Sequence, residues 1–315
     1  MRRPLAVLTL MLLHLYQVAP ACGQESSETA APVVVASKPF GESYLLAEMF
    51  AQLLEDHHIA VKRLRGLGST DIIFGALLAG GVDVYPEYTG TGLVAILHDT
   101  LAREALADPR RVFAHVAGAF GSRYGVRWLP PLGFQNTFAL AVRASTARQY
   151  HLRTLSDLAR ESSHLIAGFT PDFVQRPDGL TGLATVYSDR IRPARVTPLL
   201  PALKYQALTG GAVDVIDGFS TDGLLEGSGL VVLEDDRHFF PPYEAAVVLG
   251  ARAAARPEVV SALTLLSGKI TEETMRSLNR RVEIDGEDIA VVAASALRAL
   301  GSVSAIDHGP LTAMW

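Results

Sequence analysis

The chain holds a single cysteine, Cys22, so no intramolecular disulfide can form. It also lacks the run of roughly 20 apolar residues that a membrane-spanning helix needs. The stretch Leu5 to Leu13 is too short, and each later apolar stretch is broken by a charge, a glycine or a proline. Basic residues are in deficit: 28 Lys and Arg against 33 Asp and Glu give a formal net charge of −5. Removing residues 1–21, which carry Arg2 and Arg3 and no acid, leaves 26 against 33, a net of −7. That sign argues against nucleic acid or an anionic membrane surface as partner, since either calls for a basic face. The nine histidines are scattered, with no HxxxH or HExxH spacing, and neither GxSxG nor a P-loop occurs. An enzyme is therefore not expected, and neither a cofactor nor a metal is expected.

A length of 315 residues with 49% hydrophobic and 19% charged residues suits two domains with substantial cores. Arg2 and Arg3, the apolar run after them and the small residues Ala19 and Ala21 lay out residues 1–21 as a secretory signal peptide. The rest is expected outside the cytoplasm, in the periplasm or on the outer face of the envelope. Cys22, at the cleavage boundary, is a candidate for lipidation, with the polar segment 22–32 as a flexible linker. Ala19 stands where a lipobox has a larger aliphatic residue, and Pro20 is unusual there, so simple cleavage leaving a free thiol stays open.

From Val33 onward, short strands alternate with amphipathic helices, the pattern of a mostly parallel α/β sheet. Val33 to Ala36 is a continuous apolar run, as in a strand buried on both faces. Leu45, Leu46, Met49, Phe50, Leu53 and Leu54 have helical spacing. Ser69-Thr70-Asp71 is placed to cap a second helix that ends at Gly80-Gly81. Val82 to Tyr85 and Phe138 to Val142 read as strands, and three helices follow Pro257. "Gly, then apolar-Asp-apolar" occurs at Gly81 to Val84 and again at Gly211 to Val215, which suggests two similar lobes.

Two strand-to-helix junctions look suited to a ligand, because ligands of open α/β folds sit beyond the carboxyl ends of strands. One is Ser37 to Ser43, with Lys38; the other is Tyr85 to Gly92, with Tyr88 and Thr91 in a glycine-rich turn. Taken singly these residues have plainer readings. Lys38 could be a solvated lysine, Phe138 a core residue of its strand, and Arg176 a surface partner of Asp172 or Asp178.

Taken together, six segments resemble the binding proteins of glycine betaine/choline/carnitine (osmoprotectant) ABC uptake systems. They are SKPFGESYLLAEMFAQLLE, GLGSTDIIFGALLAGGVDVYPEYTGTGL, PLGFQNTFALAV, RPDGLTGL, LKYQALTGGAVDVIDGFSTDGLL and VLEDDRHFFPPYEAAVVL, in the family's order. The resemblance implies a type II periplasmic-binding-protein fold, α/β, with two lobes joined by two crossover segments and a ligand cleft between them. Lobe one would comprise residues 33–135 plus 240–315, and lobe two residues 136–239. It implies a cage of Tyr88, Phe138, Phe219 and Tyr243 around a quaternary-ammonium head, with Lys38, Thr91 and Arg176 meeting a carboxylate. Phe138 and Phe219 stand where tyrosine is usual. A quaternary ammonium has no N–H to donate, so aromatic faces must hold it, each worth ~0.5–2 kcal/mol when desolvated. Glycine betaine or choline is the expected ligand, with carnitine or ergothioneine as alternatives. The partner is an ABC permease, or alternatively a sensory receptor, and the protein is expected to be a monomer. Membrane contact is expected only through the permease or a lipid at Cys22.

Overall fold

The structure is a computed structural model that describes residues 31–187, 191–225 and 229–301. The expected signal peptide and Cys22 lie outside the described residues. No helix among the described residues is long and apolar enough to cross a membrane.

Among the described residues, ten strands form two five-stranded sheets. The first contains β1 (Val33–Ala36), β2 (Val61–Leu64), β3 (Val84–Tyr88), β4 (Arg127–Trp128) and β10 (Ala245–Leu249), in the order β2-β1-β3-β10-β4. The second contains β5 (Phe138–Arg143), β6 (Ile166–Phe169), β7 (Arg195–Pro198), β8 (Val215–Phe219) and β9 (Leu230–Leu233), in the order β7-β6-β8-β5-β9. The plan is the same in both. A first strand runs parallel to two neighbours, and one antiparallel strand lies beside the third and carries the fourth.

The repeated aspartate explains part of this likeness. Asp83 accepts the N–H of Val34 at 2.8 Å, and its own N–H donates to the Val34 carbonyl. Asp214 makes the same pair of bonds to Ile166, with 2.9 Å for the side-chain bond. Each aspartate also holds an arginine, Arg252 at 2.7 Å and Arg143 at 2.6 Å. The motif therefore fastens the start of the third strand to the first in each lobe. It also explains why β3 begins later than the apolar pattern from Val82 suggests: Asp83, like Asp214 ahead of β8, acts as an anchor before the strand.

The helix Gly41–Asp56 buries Leu45, Leu46, Met49, Phe50, Leu53 and Leu54, the residues whose spacing marks it. Ser69 is the N-cap of the helix Thr70–Leu78, with extended backbone, yet its side chain makes no capping bond. Gly80 follows the helix with φ +74°, a conformation few side chains tolerate. Helices Pro257–Thr264, Glu272–Glu283 and Ile289–Ala299 follow Pro257 as the periodicity suggests.

The chain passes between the sheets before β5 and after β9. The two passages pair with each other: Asn136 N–H donates to the Tyr243 carbonyl at 3.0 Å, and Ala245 N–H to that of Phe134 at 3.1 Å. Both therefore leave the first sheet side by side, and both deliver aromatic residues to the same place.

Candidate ligand-binding site

The residues singled out from sequence sit at strand ends. Tyr88 is the last residue of β3, and Ala245, the first of β10, lies opposite it. Phe138 opens β5 and faces Phe219, the last residue of β8. Tyr243 lies two residues before β10. Pairing register thus sets two walls on the rim of each sheet.

The rings form one continuous cluster. Phe138 and Phe219 stack with centroids 5.3 Å apart, and Phe138 meets Tyr243 edge-on at 5.9 Å. Phe40 stacks on Phe219 at 5.5 Å and reaches Tyr88 at 6.4 Å, so it joins the fourth wall to the other three. Phe40 was not singled out from sequence, although it lies in the junction between Lys38 and Glu42.

Cations already sit over these rings. The Arg176 guanidinium carbon lies 5.2 Å from the centre of Phe138, Lys204 Nζ 5.1 Å from that of Phe219, and Lys38 Nζ 5.6 Å from that of Tyr88. All three fall within the range of cation–π attraction. Three of the four rings therefore already face a cation of the protein itself, each of them also paired with a carboxylate: Lys38 with Glu87, Arg176 with Asp178, and Lys204 with Asp217 and Asp222.

The three residues expected to meet a carboxylate are each engaged. Arg176 donates from Nε to Asp178 at 2.7 Å, from Nη2 to the same carboxylate, and from Nη2 to Thr91 Oγ1 at 3.2 Å. Its Nη1 lies 3.6 Å from Asp172. Pairing with these aspartates is as sequence allows, but at a buried position and not at the surface. Lys38 is buried too, and pairs with Glu87 while donating to Thr70 Oγ1 at 3.2 Å. Thr91 and Arg176 are thus brought together, whereas Lys38 has a partner of its own. Burial pushes the Arg176 guanidinium down, but Asp178 outweighs it and holds the group above its ordinary value, charged at every working pH.

The two tyrosine hydroxyls are engaged in the same way. Tyr88 donates to Glu42 Oε1 at 2.6 Å, and Tyr243 donates to Asp178 Oδ2. Burial, followed by the neighbouring carboxylate, raises both phenols well above their usual range, so both stay protonated donors. Glu42, Glu87 and Lys204 were not singled out from sequence, and Asp178 only as a surface partner of Arg176. All four lie within the family-like segments, Glu42 and Glu87 in the two strand-to-helix junctions themselves.

The family model for the substrate-binding domain of ABC-type glycine betaine transport systems matches residues 31–299. The chain belongs to this family. It is 35% identical over 272 residues to the Helicobacter pylori (strain G27) "ergothioneine transport permease/ergothioneine binding protein EgtU", covering 86% of this chain and 48% of that protein. The chain thus spans about half the length of that relative. It is 33% identical over 272 residues to the Listeria monocytogenes carnitine transport binding protein OpuCC, covering 85% of each. The crystal structure of a glycine betaine/carnitine/choline ABC transporter protein, 32% identical, superposes with a TM-score of 0.68, covering 86% of this chain and 99% of that one. The fold of this family member is the two-lobed α/β fold of periplasmic substrate-binding proteins.

Proposed function

We propose that this protein is the extracytoplasmic solute-binding component of an ABC importer and captures a quaternary-ammonium compound in the aromatic cluster. The observation that carries this is the convergence of Tyr88, Phe138, Phe219 and Tyr243, joined by Phe40, into one ring cluster at the rims of both sheets. Family membership supports it, and the relatives named above are transport binding proteins, not enzymes.

Two walls move with each lobe. Tyr88 and Tyr243 adjoin β3 and β10, whereas Phe138 and Phe219 belong to β5 and β8. Hinge opening parts the pairs and closure brings them together. A trimethylammonium head bound between them favours the closed state, because only that state presents all four faces to it. Four faces at ~0.5–2 kcal/mol each account for a large share of the roughly −8 kcal/mol of micromolar binding. The closed form is the one a permease would recognise.

Arg176 and Thr91 are proposed to receive a ligand carboxylate, with Arg176 exchanging part of its bond to Asp178 for the ligand. Lys38, paired with Glu87, is proposed to set the charge near Tyr88. Glycine betaine and choline differ in this carboxylate; carnitine carries it on a longer frame, and ergothioneine at the betaine spacing with an added ring side chain. A thermal-shift panel of these four compounds and proline on the mature chain tests the reading. A ligand at 100 times its dissociation constant stabilises by ~2.7 kcal/mol. A panel in which proline alone shifts the melting temperature, or none does, overturns it.

A further inference from the structure

Glu42 lies in the first turn of the helix Gly41–Asp56 and is buried, with donors from both sheets' sides around it. Its oxygens take donors from four separate parts of the chain. Oε1 accepts from the Tyr88 hydroxyl at 2.6 Å and from Asn136 Nδ2 at 2.8 Å. Oε2 accepts from the Thr221 hydroxyl at 2.5 Å and from Asn279 Nδ2 at 2.9 Å. Tyr88 ends β3, and Asn279 lies on the helix Glu272–Glu283, which follows β10 in the chain. That helix packs both against the helix Gly41–Asp56 and against the turn Gly223–Leu225 after β8, and Asn279 Nδ2 also donates to the Thr221 carbonyl at 2.8 Å. Asn136 leads into β5 and Thr221 follows β8, both strands of the second sheet. Oε1 therefore takes one donor from beside each sheet, and Oε2 takes Thr221 together with a helix that reaches both sides.

A carboxylate offers about four lone-pair directions, and here all are met. Its partners are neutral donors, which makes the arrangement costly to hold half-formed: a buried carboxylate that loses donors bears a desolvation cost. The two second-lobe donors also hold each other, since Thr221 N–H donates to Asn136 Oδ1 at 3.3 Å. Burial raises the Glu42 carboxyl while all four hydrogen bonds oppose the rise, beginning with Thr221.

We propose that Glu42 is a positioning residue that couples ligand capture to lobe closure, holding the Tyr88 ring in place and completing its own bonds only when Thr221 and Asn136 close onto it. The proposal rests on the reading of the aromatic cluster as the ligand site. Opening the lobes strips Glu42 of its second-lobe donors, and a ligand that closes them restores those donors. The wall and the latch then form in one event.

The test is calorimetric binding of choline and glycine betaine to the mature chain, with small-angle scattering for closure and stopped flow for dissociation. Glu42→Gln keeps the shape but presents an amide NH2 to two donors. It is expected to lose at least tenfold in affinity for both ligands equally, through faster dissociation, and to close incompletely when saturated. In a cycle with Tyr88→Phe, the double variant is expected to bind no worse than Glu42→Gln alone. Thr221→Val removes one second-lobe donor without touching the Tyr88 bond, and serves if Glu42→Gln does not fold. It is expected to speed dissociation and loosen the saturated form likewise. Parent-like dissociation and full closure in the folded variants overturn the proposal, as do fully additive losses in the cycle. Should the parent bind none of choline, glycine betaine, carnitine and ergothioneine, the site reading itself fails and takes the proposal with it; where it binds only one of the last two, that ligand replaces choline and betaine in these titrations.

Discussion

Arg176 holds Asp178 through two of its nitrogens, and both side chains are buried against the aromatic cluster. A ligand carboxylate approaching Arg176 therefore meets a competing carboxylate already in place. Removing one partner of a buried ion pair costs ~3–5 kcal/mol, because the other charge is left uncompensated. Arg176→Ala should accordingly lower the melting temperature and weaken all ligands, which makes it a poor probe of specificity.

Arg176→Lys keeps the charge and loses the planar fork. We expect it to weaken glycine betaine several-fold more than choline, which has no carboxylate. Asp178→Asn removes the competitor and should shift preference the other way, toward betaine. Calorimetric titration of both ligands into both variants checks this. Unchanged betaine-to-choline ratios in the two variants would show that the pair serves the fold alone.

Gly90 lies beneath the Tyr243 ring. A Cβ there would stand 2.5 Å, 2.6 Å and 2.7 Å from Cε1, Cδ1 and Cζ of that ring, closer than real Cβ contacts allow. The ring is rigid, so it must move. Gly90→Ala is expected to cost ~1–3 kcal/mol of stability, as overpacking usually does. It should also weaken every trimethylammonium ligand at least about fivefold, equivalent to ~1 kcal/mol. Parent-like binding by a folded Gly90→Ala would remove Tyr243 from the cage.

Glu283 gives the pH dependence a sign. Burial first, and then the charge of Asp222, push its carboxyl up to about 8 from the ordinary 4.5, although it accepts the Gly223 N–H at 3.0 Å. Glu42 raises it further, and Lys204 opposes. The folded chain thus keeps a proton that the unfolded chain releases above 4.5. Folding is disfavoured increasingly as pH rises from there toward about 8, so this group's effect is absent below that window and full above it. Glu283→Gln should therefore flatten the fall of melting temperature between pH 5 and pH 8, measured by scanning fluorimetry. An equal fall in parent and variant would remove Glu283 as its source.

Local patterns were legible where one segment supplies the whole signal. The apolar run Val33 to Ala36 and the spacing from Leu45 to Leu54 led to a strand and a helix, because burial on one element decides them. The ring set was legible because each ring lies within a segment of family-like sequence. What escaped was fixed by contacts between distant segments. Glu42 is 179 residues from Thr221 and 237 from Asn279. Nothing in the residues around it announces four donors. Asp83 read as a strand residue, and both it and its repeat Asp214 anchor the strands beside them. Ser69 has the capping residue type and the extended N-cap backbone, yet makes no capping bond.

Tyr88 and Tyr243 both use their hydroxyls, and this changes which substitutions isolate the proposed cage. From sequence, Tyr88→Phe should be tolerated, since the aromatic face survives. In the structure that hydroxyl is one of the four donors to Glu42, so its loss should weaken binding although the face remains. Tyr243→Phe likewise leaves Asp178 a donor short. Phe138 and Phe219 carry no hydroxyl, and leucine in their place keeps apolar bulk while removing the ring quadrupole. Phe138→Leu and Phe219→Leu should each cost at least about 1 kcal/mol, several-fold in affinity, for choline and betaine alike. Stripping a methyl from the ligand should weaken binding as well, because a dimethylammonium N–H finds no acceptor among aromatic faces. Calorimetry on the two phenylalanine variants, with choline, betaine and their dimethyl analogues, separates these effects. If both variants bind the trimethylammonium ligands as tightly as the parent, aromatic faces do not hold the head group.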